Sequence, residues 1–201
     1  MQIKSSDRIF VAGKTGSGKT TLVKKMLFPM YTRRVFWDIK LENSDLAFCC
    51  TICTTPDELR SSIKKGKTSI LYQPKSLEPF DFNRVCQILY ETGNFTLFVD
   101  EVSRVCTPSW IEPWHDEIMT RGRGRGVGIV NLTQRPRRCH NTVISEAEHF
   151  FIFRLQLETD IAKIKEILPR QWANQVSSLP YHHCIYSDSV GTIKPLAPIR
   201  L

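Results

Sequence analysis

Gly13-Lys14-Thr15-Gly16-Ser17-Gly18-Lys19-Thr20 satisfies the pattern Gly-x-x-x-x-Gly-Lys-Thr, and the residues on both sides of it fit as well. Arg8-Ile9-Phe10-Val11-Ala12 reads as a buried strand leading into the loop, and residues 20–28 read as a helix leaving it. Glycines at these spacings let successive backbone N–H groups wrap phosphates, and the helix N-terminus adds the positive end of its dipole. Gly13, Lys14, Thr15, Gly16, Ser17, Gly18 and Thr21 form the cradle in this reading. Lys19 reaches the β- and γ-phosphates, and the Thr20 hydroxyl completes a Mg²⁺ shell. The stretch predicts a P-loop fold and a bound nucleoside triphosphate.

Outward from the loop, strand-like runs alternate with helix-like ones. That order predicts an α/β fold with a mostly parallel central sheet and helices on both faces. Strands are expected at 34–38, 68–72, 95–101, 127–132 and 150–155. Thr55-Pro56-Asp57-Glu58 supplies a helix cap, a proline at the first helical position and acids in the first turn, with the helix ending near Gly66. Further helices are expected at 81–90, at about 111–119 and at 159–168, the last closed by Pro169. The tail from Tyr181 holds two short strand-like pieces separated by Gly191. With no repeat or linker in view, residues 1–201 are expected to form one domain, with 181–201 as a C-terminal extension.

A chain of 201 residues suits one sizeable α/β core. The net charge of +8 favours a polyanionic partner such as nucleic acid. Seven cysteines, an odd number, argue against a closed disulfide framework. Cys49, Cys50 and Cys53 with His182, His183 and Cys184 could in principle gather a zinc ion, but one Cys-x-x-Cys is a weak signal and buried small hydrophobes are the expectation. No apolar run approaches the ~18 residues of a membrane helix, and the chain opens on a strand rather than a signal peptide. A cytoplasmic protein is expected, the cytoplasm of a host cell included.

Phe95-Thr96-Leu97-Phe98-Val99-Asp100-Glu101 has the form of a Walker B strand. It delivers Asp100 to the carboxyl edge of the sheet, where ligands of open α/β sheets sit, and Asp100 would hold Mg²⁺ beside Thr20. Glu101, directly after it, is placed to polarise an attacking water, which a hydrolase needs. The next strand ends in Asn131-Leu132-Thr133-Gln134-Arg135-Pro136, so Gln134 is a candidate contact to the γ-phosphate or the lytic water. Before that strand lies Arg121-Gly122-Arg123-Gly124-Arg125-Gly126. Such a run can bind a nucleic-acid backbone or supply an arginine to the triphosphate of a neighbouring subunit.

Taken together, the P-loop, Asp38 at the end of the second strand, Val99-Asp100-Glu101, the Arg-Gly run before Val127-Gly128-Ile129, and Thr133-Gln134-Arg135-Pro136 resemble the FtsK–HerA superfamily of DNA-pumping ATPases. The resemblance covers residues 8–155, and the small size is similar to the genome-packaging ATPases of membrane-containing and tailless viruses. It implies an ASCE-type, RecA/FtsK-like ATPase that hydrolyses ATP with Mg²⁺ and moves double-stranded DNA into a preformed capsid. It further implies a homo-oligomeric ring, a hexamer being favoured, with a capsid or membrane-vertex protein as a further partner and a virion-associated state. By the same resemblance the catalytic arginine comes from just before the Gln134 strand, making Arg125 and Arg123 the finger candidates ahead of Arg121. DNA contacts do not transfer from the family; Lys64, Lys65, Lys67 and Arg104 are candidates from charge alone. The competing readings are a nucleotide-dependent assembly or morphogenesis switch and a conjugation-type DNA pump. No Asn-Lys-x-Asp guanine reader and no Ser-Gly-Gly-Gln transporter signature is present.

Overall fold

The structure is a computed structural model and describes residues 2–75 and 79–198. In chain order its elements are β1 (Arg8–Ala12), α1 (Lys19–Leu22), β2 (Arg34–Trp37), β3 (Thr51–Cys53), α2 (Pro56–Lys64) and β4 (Ser69–Tyr72). Then follow α3 (Pro79–Thr92), β5 (Thr96–Val99), β6 (Cys106–Thr107), β7 (Trp110–Ile111), α4 (Pro113–Arg121), β8 (Gly128–Thr133) and α5 (Asn141–Ser145). The chain closes with β9 (His149–Phe153), α6 (Glu158–Ile164), α7 (Arg170–Ala173), β10 (Cys184–Asp188) and β11 (Ile193–Leu196). Thr55 caps α2 as its sequence suggests, its hydroxyl accepting from the Glu58 N–H.

Nine strands form one sheet in the order β11-β10-β9-β1-β8-β5-β2-β4-β3. Seven neighbours from β9 to β3 run parallel, whereas β10 and β11 are antiparallel additions. The tail therefore folds back onto its own sheet; its residues 199–201 lie outside the described residues. The order matters for function because β8 stands between β1, which feeds the P-loop, and β5, which delivers Asp100 and Glu101.

Strands covered on both faces read as near-continuous apolar runs, and β1, β5 and β9 are buried at every position. One face carries Phe10, Trp37, Leu97, Ile129 and Ile152, packed against Leu59, Val85, Leu89, Ile118 and Ile161 of α2, α3, α4 and α6. The other carries Val11, Phe36, Phe98, Val130 and Phe151, covered by Leu22, Val23, Leu27 and Phe28. Helices thus lie on both faces but unequally, since one helical run, joined by Leu46 of the short turn Ser44–Phe48, covers the second. The helical run departs from the uniform helix expected at 20–28. After α1 it widens into a π-helical turn, Val23–Leu27, and ends in a 3₁₀ turn, Phe28–Met30, where Pro29 has no N–H to continue.

Phe98 is the centre of the second face, with ring centroids at 5.1 Å from Phe28, 5.8 Å from Tyr31 and 6.1 Å from Phe36. Phe98→Ala should destabilise the fold by about 3–5 kcal/mol. Urea unfolding checks this, and a loss under about 1 kcal/mol would show that the cluster repacks freely.

Candidate active site

The P-loop is strung across the carboxyl ends of three strands. The Gly13 N–H donates to the Thr133 carbonyl at 3.2 Å, and the Lys14 N–H donates to the Arg154 carbonyl at 2.9 Å. A Cβ on Gly13 would lie 2.5 Å from the Phe153 Cβ and 2.7 Å from Ser17 Oγ, so only glycine fits. Gly18 caps α1 at φ 104°, a left-handed conformation closed to other residues. Lys19 is buried and folds back, its Nζ donating to the carbonyls of Gly13 at 2.7 Å and Lys14 at 3.0 Å. Burial lowers its pKa to about 8. Ser17 Oγ is buried without a partner among the described residues, an orphan that a phosphate oxygen would satisfy.

Beyond β5, Asp100 and Glu101 are both buried. Glu101 takes φ 64°, which turns its carboxylate back towards β8. One carboxylate oxygen, Oε1, accepts from Ser103 Oγ at 2.6 Å, from Thr133 Oγ1 at 3.0 Å and from the Gln134 N–H at 3.2 Å. The other, Oε2, faces Lys40 Nζ at 3.6 Å. One oxygen is anchored, then, and the other is left to act. Gln134 reaches the P-loop directly, since Thr15 Oγ1 donates to its Oε1 at 2.7 Å.

Asp38, expected only as the end of a strand, is a saturated anchor. Its carboxylate accepts from the Glu42 and Asn43 N–H groups, from Asn43 Nδ2 at 2.6 Å and from Gln73 Nε2 at 3.0 Å. Asn43 then donates to Asp100 at 3.4 Å, and Lys40 Nζ lies 3.9 Å from the same carboxylate. Lys40 and Asn43 were missed in the sequence because they sit in an unpatterned loop. Burial raises the Asp100 pKa, opposed chiefly by Lys40. The Asp100 carboxylate and Thr20 hydroxyl are hard oxygen donors of the kind Mg²⁺ takes beside phosphates, so the donor chemistry fits that ion. The zinc alternative fails. Cys53 lies on β3 at one edge of the sheet and Cys184 on β10 near the other, and among the described residues no three His, Cys, Asp or Glu side chains gather.

Two clefts flank the loop. On one side Gly18, Thr21, Leu22, Phe153, His182 and Pro198 line an apolar cleft of about 200 Å³. On the other, Thr15, Lys40, Glu42, Arg104 and Gln134 line a more open polar one. The arginine turn lies at the opposite, amino edge of the sheet, just before β8. At about 3.3 Å per residue the strand alone puts about 17 Å between its two ends, so Arg123 and Arg125 cannot reach the P-loop of their own chain. Arg125 donates to the Tyr90 carbonyl at 3.2 Å and the Glu91 carbonyl at 3.0 Å, Arg123 pairs with Glu148, and Arg121 pairs with Glu117 at 3.3 Å. Glu148 also accepts from the Arg8 backbone N–H at 2.9 Å and Arg8 Nε at 3.3 Å, so it does not depend on Arg123.

No family model matches the chain. The DNA packaging ATPase of Enterobacteria phage PRD1 is 24% identical over 188 residues, covering 90% of this chain and 82% of that protein. Among solved structures, the genome packaging NTPase of Sulfolobus turreted icosahedral virus 2 in complex with ATP-gammaS superposes with a TM-score of 0.86 at 20% identity, covering 98% of this chain and all of that one. The bacterial conjugative coupling protein TrwB superposes with a TM-score of 0.68 at 11% identity over 97% of this chain and 85% of its own. The fold is that of a P-loop ATPase, as the sequence predicts.

Phosphate binding favours the charged form of Lys19, whose pKa in the free protein is lowered to about 8. Nucleotide binding should therefore take up a proton above about pH 8, and affinity should fall by up to about tenfold per pH unit there. Calorimetric titrations in two buffers of different ionisation enthalpy measure the uptake. No uptake at pH 9 would mean that Lys19 is already fully charged before the ligand arrives.

Proposed function

We propose that this chain is an ATP-hydrolysing motor that translocates double-stranded DNA and packages a viral genome into a preformed capsid. In this reading residues 1–201 are its single motor domain. The observation that carries the proposal is the hydrogen-bonded path from the P-loop through Thr15 and Gln134 to Glu101. That path is what a hydrolase able to report its nucleotide state requires. The similarity to DNA packaging ATPases over most of the chain, and the net charge of +8, support DNA as the load.

ATP would lay its phosphates on Gly13–Thr20 and its base in the apolar cleft of Leu22, Phe153 and His182. Mg²⁺ held by Thr20 and Asp100 would neutralise charge on the β- and γ-oxygens. Glu101 Oε2, with Oε1 fixed by its three donors, accepts the proton of the attacking water. The Gln134 amide, released from Thr15, senses whether a γ-phosphate is present. Lys40 leaves the two acids as the phosphates arrive.

The polar cleft beside Gln134 is then open to an arginine from elsewhere. Because Arg123 and Arg125 stand at the far edge of their own sheet, one of the two serves the neighbour in a homo-oligomeric ring, for which six subunits is the favoured number. Arg123 is the more easily released, since Glu148 keeps its Arg8 contacts when Arg123 leaves. The motor would work in the host cytoplasm against a capsid or membrane-vertex protein; no helix among the described residues is long and apolar enough to cross a membrane.

Glu101→Gln should keep ATP affinity and lose turnover by at least about a hundredfold, the usual worth of a general base. Measured with and without long duplex DNA, wild-type turnover should rise with DNA; a DNA-indifferent enzyme would support the assembly-switch reading instead. Arg123→Ala and Arg125→Ala test the finger. Mixed with wild type, the true finger variant should depress activity more than in proportion to its share, whereas strictly additive rates would exclude action across subunits.

A further inference from the structure

We infer that the β6–β7 hairpin and the neighbouring turn Pro136–Arg138 form one surface that grips the phosphate backbone of duplex DNA. The inference rests on the motor reading and assigns residues to its load. Both segments leave the carboxyl ends of adjacent strands: the hairpin follows β5 after the short turn Val102–Arg104, and the second turn follows β8. They lie side by side: the buried Cys106 of β6 neighbours Cys139 and His140, just past the second turn.

The charge on this surface is unbalanced. Arg104, Arg137 and Arg138 are all exposed, and among the described residues none has a carboxylate within ion-pair distance. Arg135, by contrast, is spent on Asp160 at 2.9 Å. Asp160 also accepts from the Arg137 backbone N–H at 3.1 Å, which fixes the turn while leaving the Arg137 guanidinium free. Between the arginines, the hairpin exposes the hydroxyls of Thr107 and Ser109 and the Trp110 side chain. Guanidiniums, hydroxyls and an amphipathic aromatic tip are what contacts to phosphate and sugar use. A deoxyribose edge would cover Trp110, which is 43% exposed on a two-residue strand.

Position gives the surface its mechanical meaning. Ser103, in the turn that starts the hairpin, donates to Glu101 at 2.6 Å, and Thr133, three residues before Pro136, donates to the same oxygen at 3.0 Å. Both halves of the grip are therefore tethered to the carboxylate that changes partners during hydrolysis. Lys64, Lys65 and Lys67, the charge-based candidates, lie at the other edge, where α2 leads into the start of β4. Among the described residues they have no such link to the acids.

The test is a salt titration of binding to long linear duplex DNA by the full-length protein. Removing two phosphate contacts in Arg137→Ala/Arg138→Ala should flatten the slope of log K against log salt by about 1.8, or about 0.9 per contact, and weaken binding at least about tenfold near 0.1 M salt. Arg137→Lys/Arg138→Lys should restore the slope. Trp110→Ala should lower DNA-stimulated turnover while leaving the slope unchanged, because it removes no charge. Nucleotide affinity of each variant, compared with wild type, reports that the fold is intact. Lys64→Ala/Lys65→Ala is the control and should match wild type.

An unchanged slope in the double arginine variant overturns the assignment while leaving the motor reading standing, and so does a loss of the same size in the lysine control. A wild-type protein that does not bind duplex DNA at any salt overturns both. If the arginine variants keep DNA but lose an acidic capsid partner, the surface belongs to that protein instead.

Discussion

A buried carboxylate must be given donors, and Glu101 draws its donors from three different segments. Ser103 comes from the turn after β5, Thr133 and Gln134 from the end of β8, and Lys40 from the loop after β2. Each satisfies a charge that burial would otherwise make costly. The arrangement is possible only because β8 lies between β1 and β5, so that its last residues sit midway between the phosphate loop and the acids. The left-handed backbone at Glu101 completes it by bending the chain off the strand at the point where the side chain must turn inwards. Strand order, loop conformation and hydrolytic chemistry answer to one charge.

The amino edge of the sheet is organised differently. There His149 joins Asp7 through Nε2 at 3.1 Å and the Tyr186 hydroxyl through Nδ1 at 2.9 Å, and Tyr186 donates onward to Asp188 at 3.2 Å. The chain ties the starts of β1 and β9 to the end of β10. Next to it Glu148 holds Arg8 and Arg123. A network with most partners satisfied is stiff, which would suit an edge that, in the proposed ring, presents arginines to the nucleotide site of another subunit.

Much of this was legible beforehand. The P-loop, the acid pair and Gln134 announce themselves because phosphate chemistry demands particular residues at fixed spacings, and long buried strands show as apolar runs. β3, with three residues, and the two-residue strands of the hairpin are too short to carry a period. The five residues of α5 are no better. Lys40 and Asn43 were hidden for another reason, since their roles depend on where a loop returns in space. Asp38 was visible as a residue but not as an anchor, because its partners Asn43 and Gln73 lie on either side of a long excursion of the chain. The arginine turn was readable as a candidate finger, yet only the separation of the two sheet edges explains why it cannot act at home.

The placement of β1 has a consequence for how the chain comes to be folded. Strands β2, β3, β4 and β5 find every neighbour except β8 within residues 34–99 and can pair as soon as that stretch exists. β1, made first, pairs only with β8 and β9, which begin at Gly128 and His149. On a ribosome the apolar segment Arg8–Ala12 must wait, unpaired, until β8 and β9 have emerged. Contacts so distant in sequence are slow to close, and an unpaired apolar strand is a point at which nascent chains associate wrongly. The nucleotide loop, made before the strands that hold it, is among the last parts of this fold to form.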